Sequence, residues 1–534
     1  VRKKWNRILP AMLIVSLIIG CQNTKPKEQD LMRIKSAGEL KPKKVILLVA
    51  DSLMSQSIDK GIREHELPAL KFLTDHGQYY KDLVSSFPTM SVTIDSSLLT
   101  GKYPDVHHVP GLTWYSADSK KIINYGTGPM EMLGHGIHPV LTDALIHLNG
   151  SHLNRNLPTI YEELARQGLK SGSINGLVYR GTTDHKLSIP AWIQGPASLP
   201  NEIQVKGPDL LSLGSLSNPF EDIKSLPDGL TNRLGLNNDF AIEAVKHLIQ
   251  DDKLPDFLLV YLPDLDQKLH KKGPADLDGV KKLDQQLDSL LKSFGSPEKA
   301  LQEAVIIIVG DSGMTPILPA EQNPVIDLPS LFGADQVLRP GEPVTKETEI
   351  ILAVNETMAY VYSLKADRSL RDHANELKKD PRIDFIAWKE KEWVYAIQGS
   401  TAKQIKFKAK GNLIDSYKQT WTVEQDMEVL DLKVNDSAHS LEYDQYPDVL
   451  KRLSAALDSH PGEFLVVTAK PGYELADRSS PTHKGGGGHG SIRKMESLVP
   501  LIIGGTDQKP EYLRIVDLKG YLLNLLTKKT HNDK

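Results

Sequence analysis

A single cysteine among 534 residues excludes an internal disulfide and every zinc site built from clustered thiolates. The 64 basic and 68 acidic side chains leave a net charge of only -4, so no basic field is available to steer nucleic acid. Internal repeats and low-complexity runs are missing, apart from the four glycines at 485–488. The apolar run at 8–19, interrupted by Pro10 and Ser16, is too short to span a bilayer comfortably. What remains is an ordinary globular composition, 40% hydrophobic and 25% charged, long enough for two to four domains.

The lone cysteine has a distinctive setting. Arg2, Lys3, Lys4 and Arg7 form a cationic stretch before the apolar run, and Ile18-Ile19-Gly20-Cys21 follows it. This resembles a bacterial lipobox, in which the thiol takes a lipid and the chain is cut before it. Residues 1–20 are therefore expected to be a signal peptide, with Cys21 the lipidated residue. The polar, Lys-rich stretch from Cys21 to residue 43 is then a tether holding the folded part off the extracytoplasmic face of a bacterial cell membrane. A plain secretory peptide with a coincidental cysteine is the competing interpretation.

From Val45 onward, short apolar runs at 45–50, 257–262, 304–309 and 464–468 have the length and flanks of buried strands. A further run from Leu498 carries Pro500, which points to a strand near an edge. Helical patterns lie between them. One spans 159–167 and ends at Gly168; another spans 239–250; a stripe of Leu277, Val280, Leu287, Leu291 and Phe294 marks a third. Strands alternating with helices predict an α/β fold with a mostly parallel sheet covered on both faces. The stretch at about 335–460 is richer in β-branched and aromatic segments. It is expected to be a smaller strand-rich insertion acting as a lid, with a separate domain as the alternative.

Candidate chemistry sits at the ends of the strands. Asp51 and Asp311 each close a very apolar run, where a carboxylate lies at the edge of the core; a helix cap or a buried hydrogen-bonded Asp would explain either one alone. Asp266 and His270 follow the run at 257–262, four residues apart, and suit zinc or manganese if both face one ion. His489 lies in GGGGHG, where glycine lets the backbone wrap close to a ligand. Thr89 follows Pro88 at the expected start of a helix marked by Met90, Ile94 and Leu98. Unpaired amides there favour an anion, and the hydroxyl is either a nucleophile or a simple cap.

Taken in order, these segments resemble the type I phosphodiesterase/nucleotide pyrophosphatase branch of the alkaline phosphatase superfamily. The resemblance covers most of 44–125, then 257–315 and 483–505, including LPALKFLTDHG, FPT, TGKYPDVHH and HGSIRKMESLVPLIIGG. It implies an alkaline-phosphatase-like three-layer sandwich over 44–530 that holds two divalent metal ions, zinc or manganese. One ion would sit on Asp266, His270 and His489, the other on Asp51, Thr89 and Asp311, with Thr89 also the nucleophile. The substrate would be a small phosphate ester, hydrolysed through a phospho-threonine. Three positions depart from the family pattern: Ser312 stands where the family has His, Leu112 falls where an Asn contacts a phosphate oxygen, and Leu269 replaces the Gly before His270. Thr113 or a backbone amide would have to substitute for the Asn.

Competing functions follow from these departures. Phosphomonoesterase, phosphonate hydrolase and phosphoethanolamine transferase share the superfamily chemistry. The common sulfatase motif, C/S-x-P-x-R, does not occur. A non-catalytic binding lipoprotein with a degraded site is the reading from outside enzymology. Trp114 and Tyr115 are either base-stacking or packing residues.

Overall fold

The computed structural model describes residues 43–126, 137–190, 199–222, 225–332 and 337–527. Cys21, the signal peptide and all but the last residue of the tether lie outside the described residues, as do 528–530 of the expected catalytic unit. Among the described residues no helix is long and apolar enough to cross a membrane.

A seven-stranded sheet forms the centre, in the order Gln78–Val84, Leu498–Gly504, Ala304–Gly310, Lys44–Ala50, Phe257–Leu262, Ser171–Ile174, Leu210–Ser212. Only Leu498–Gly504 runs against the rest. Strand alternation sends the side chains of Lys44–Ala50 to two faces. Ile46, Leu48 and Ala50 pack with Leu70, Val245 and Leu287 from helices on one side. Val45, Leu47 and Val49 pack with Ile94, Leu164 and Leu522 from helices on the other. The result is three layers, and the strand is apolar throughout because both faces are buried.

Pro500 lies in the strand next to the edge strand Gln78–Val84, near an edge as expected. Its strand is paired on both sides, and the register on the Gln78–Val84 side breaks between Tyr80 and Leu83, opposite the proline. A bulge accommodates the missing N–H. The run at 464–468 is placed differently from the expectation for the central sheet. Phe464–Ala469 belongs to a second, nine-stranded sheet, antiparallel to Met358–Ser363 and Ile383–Glu390. Apolarity alone cannot separate the two positions, because this second sheet also buries side chains on both faces.

Candidate active site

Register explains why residues far apart in the chain meet. Ala50 is level with both Gly310 and Leu262 across the parallel pairs. Asp51 and Asp311 therefore leave neighbouring strand ends side by side. After Leu262 the chain enters helix Asp264–Lys272, which carries Asp266 and His270 one turn apart on the same rim. Such a crevice beyond the carboxyl ends of parallel strands is where α/β sheets place ligands.

Asp266, His270 and His489 converge, with ligand atoms all within 4.8 Å of one another. His270 Nε2 is 3.1 Å from Asp266 Oδ1, and His489 Nε2 is 3.5 Å from the same oxygen. Each imidazole is anchored through its other nitrogen. His270 Nδ1–H donates to Gly487 O at 2.9 Å, and His489 Nδ1–H to Thr89 O at 2.6 Å. Both Nε2 atoms are thereby left as ligands, an arrangement typical of metal-binding histidines. Burial opposes charge here, yet His270 and His489 hold the Asp266 carboxyl well below its usual range. Against the same burial, Glu356 and then Asp266 push His270 up to about 9. The donor set fits zinc or manganese.

Beyond the exposed Gly485, the glycines before and after His489 are closely packed. A side chain at Gly486 would strike His270 O, and at Gly490, with φ +130, it would meet Asn355 O at 2.2 Å. These glycines let the His489 loop lie flat between helix Asp264–Lys272 and the hairpin of the second sheet.

Asp51 and Asp311 form a different environment. Burial, then Asp311 and Asp266, raise the Asp51 carboxyl well above its usual range. Burial also raises Asp311, against the donated amide of Ser52. Asp311 Oδ1 accepts the amides of Ser52 and Ser312, while its Oδ2 is buried without a partner. Two enclosed carboxylates and an orphaned oxygen fit a cation. Imidazole is missing because Ser312, fully buried, instead places its Oγ 3.1 Å from Ser52 Oγ, which in turn donates to Asp266 at 2.8 Å. Oxygen donors alone suit a hard ion such as manganese or magnesium better than zinc.

The Thr89 hydroxyl is engaged with the His489 loop. The residue is fully buried, and its hydroxyl donates to Ser491 O at 3.0 Å and accepts from Gly490 N at 2.8 Å. The helix begins two residues later, at Ser91, with Met90 as an N-cap that makes no side-chain bond. Ser91 is half-buried, and its hydroxyl points to Asp51 Oδ1 at 3.4 Å. Among the described residues the Ser91 and Val92 amides carry no hydrogen bond. The Leu112 and Thr113 amides are not free to supply the phosphate-oxygen donor that the Leu112 side chain lacks. Leu112 N and Thr113 N both donate to Asn355 Oδ1, and the Thr113 hydroxyl accepts from Asn124. Trp114 and Tyr115 are packing residues, 8% and 5% exposed, engaged with Tyr125 and Tyr362.

Four further residues escaped the sequence. Ser91 does not stand out in the sequence, because a helix start cannot be fixed to within two positions from periodicity. Tyr261, whose hydroxyl donates to Asp51 Oδ2 at 2.6 Å, looks like any strand aromatic. Glu356 and His483 lie beside His270, Glu356 Oε1 at 3.7 Å from its Nε2. Their only signals were an acidic residue in a turn and a histidine shortly before the glycine run.

A search of curated proteins finds no match. Among solved structures, the chain is similar to murine ectonucleotide pyrophosphatase/phosphodiesterase 5, at 13% identity, TM-score 0.52, covering 92% of this chain and 98% of that one. An inactive variant of the murine protein in complex with AMP gives the same TM-score and identity, with 92% and 97% coverage. The human counterpart gives 14% identity, TM-score 0.53, and coverage of 92% and 97%. At these identities the likeness shows the fold, which is alkaline-phosphatase-like. The family profile for type I phosphodiesterase/nucleotide pyrophosphatase matches residues 45–492, and the chain belongs to that family of phosphate-ester hydrolases.

Proposed function

We propose that this protein is a metal-dependent phosphodiesterase acting on small phosphodiesters or nucleotides, with Ser91 rather than Thr89 as its nucleophile. The observation that carries this reading is the half-buried Ser91 hydroxyl at a helix start, 3.4 Å from a strand-end carboxylate. Asp266, His270 and His489 would hold one ion, zinc or manganese, and Asp51 with Asp311 a second, harder one. Bound there, such ions neutralise charge on the phosphoryl oxygens and lower the pKa of a hydroxyl nucleophile.

The chain's own groups do the rest. The free Ser91 and Val92 amides and the positive end of helix Ser91–Thr100 receive a phosphoryl oxygen. Tyr261 holds Asp51 by Oδ2, leaving Oδ1 to accept the Ser91 proton. Ser91 Oγ bonds to phosphorus while the ester oxygen opposite leaves and takes a proton from solvent. Water then attacks the phosphoserine and releases one proton to solvent, the P–Oγ bond breaks, and Ser91 regains its proton from Asp51. The absence of the family imidazole at Ser312 and amide at Leu112 favours a binding-only protein as the second reading. The lipobox-like segment supports a lipid anchor at Cys21 on the extracytoplasmic membrane face, where the second sheet would act as a lid.

Turnover of bis-p-nitrophenyl phosphate with zinc or manganese, followed by acid quench and mass spectrometry, tests the reading. Phosphate trapped on Ser91 is the expected result. No turnover and no adduct would leave the binding-only interpretation.

A further inference from the structure

The second sheet reaches the crevice. Its first hairpin, Ile350–Asn355 and Met358–Ser363, turns through Glu356 and Thr357 directly against the His489 loop. Glu356 is the first turn residue and has φ +58, a region where glycine or asparagine sits at little cost and a longer side chain is disfavoured by about 1–2 kcal/mol. A glutamate persists there with its carboxylate committed. Oε2 accepts the His489 amide at 3.0 Å, and Oε1 lies 3.7 Å from His270 Nε2.

His483 completes a group. Its ring centroid is 4.3 Å from that of His270, and its Nδ1 is 3.9 Å from Glu356 Oε2. One nitrogen of each imidazole and a Glu356 oxygen lie within 4.8 Å of one another. Ligands around a tetrahedral zinc are about 3.3 Å apart, so small side-chain adjustments close the group on an ion. His483 is also positioned from behind. Glu474, fully buried, accepts the His483 amide with both oxygens, at 2.8 and 3.0 Å, and holds the same Nδ1 at 3.1 Å, so Nε2 is the nitrogen left to ligate. A buried carboxylate behind an imidazole is the usual support of a histidine ligand.

We propose that His270, Glu356 and His483 form an additional seat for a divalent cation of zinc class, beside the Asp266–His270–His489 group and sharing His270 with it. The chain thus gains an imidazole-bearing seat on this flank, where Ser312 has removed one from the Asp51–Asp311 side. Because His270 Nδ1 is committed to Gly487 O, only Nε2 ligates, so once the Asp266 seat holds it an ion on this flank rests mainly on Glu356 and His483 and binds more weakly. The proposal rests on the phosphodiesterase reading only in sharing His270, and metal binding rather than turnover reads it.

Zinc titration of the full chain against a chromophoric chelator tests it. The wild type is expected to show a tight and a weaker phase. Glu356→Gln and His483→Asn should each remove the weaker phase and keep the tight one. Glu474→Gln should weaken it about 10–100-fold. Anomalous scattering from zinc-soaked wild-type crystals should give a peak between His270, Glu356 and His483. Titrations of both variants that match the wild type would overturn the proposal, whatever the outcome for hydrolysis. So would loss of the weaker phase in Asp51→Asn with retention in Glu356→Gln, or a zinc peak on Asp266 with none beside Glu356.

Discussion

Two hydroxyls two residues apart should separate cleanly by mutation. Thr89→Val keeps the shape of a fully buried side chain but removes a donor to Ser491 O and an acceptor for Gly490 N. Each bond is worth about 1 kcal/mol net, and a buried group left unpaired costs about 1–3 kcal/mol. The expected loss of stability is therefore about 2–4 kcal/mol. kcat should fall less than about tenfold, through the His489 loop that Thr89 pins. Ser91→Ala removes only a long bond at a half-buried position, so stability should change by about 0.5 kcal/mol or less. Its kcat should fall by about 10³-fold or more, as for removal of an attacking hydroxyl elsewhere. Guanidinium midpoints and bis-p-nitrophenyl phosphate turnover at matched metal content measure both quantities. A Ser91→Ala enzyme that turns over normally would refute the assignment. So would a Thr89→Val enzyme that is inactive with an unchanged midpoint, which would return the role to Thr89.

Other outcomes follow from the same geometry. Tyr261→Phe removes the 2.6 Å bond to Asp51 Oδ2 and should lower kcat about tenfold or more and stability by about 1–3 kcal/mol; an unchanged kcat would show that Asp51 needs no such support. Gly490→Ala forces a side chain onto Asn355 O at φ +130 and should destabilise by about 2–4 kcal/mol, visible as a lower guanidinium midpoint. Burial, with His108 adding to it, depresses His107 to about 3, below the usual 6.5. Its Nδ1 accepts from Val109 N, so protonation breaks that bond. Its contribution to stability is complete above pH 6.5 and is lost as pH falls toward 3, with a slope of about 1.4 kcal/mol per pH unit. His107→Asn should flatten the midpoint-versus-pH curve between 4 and 6.5 by that one proton, and an identical slope would contradict the assignment. Cys21→Ser should move the protein from the membrane to the soluble fraction and abolish labelling by a radioactive fatty acid.

Much of the site was legible because strand-end residues announce themselves. An Asp after VILLVA or AVIIIVG stands out against a buried run, and Asp266 and His270 carry their own helical spacing. Ser91 was not legible, since Thr89 and Ser91 are both hydroxyls near a helix start and only the cap at Met90 distinguishes them. Nor was the placement of 464–469, because two sheets with both faces buried share one sequence pattern.

The sequence by itself determined which apolar runs end in acid, and which family pattern those segments compose. It also showed that an imidazole is missing at Ser312. Only the tertiary structure decided which hydroxyl faces Asp51 and that a hairpin some ninety residues beyond His270 brings Glu356 to it. Those facts depend on level strand registers and on contacts between segments distant in the chain. No local pattern encodes them, because each is fixed by how two sheets pack around one loop of glycines.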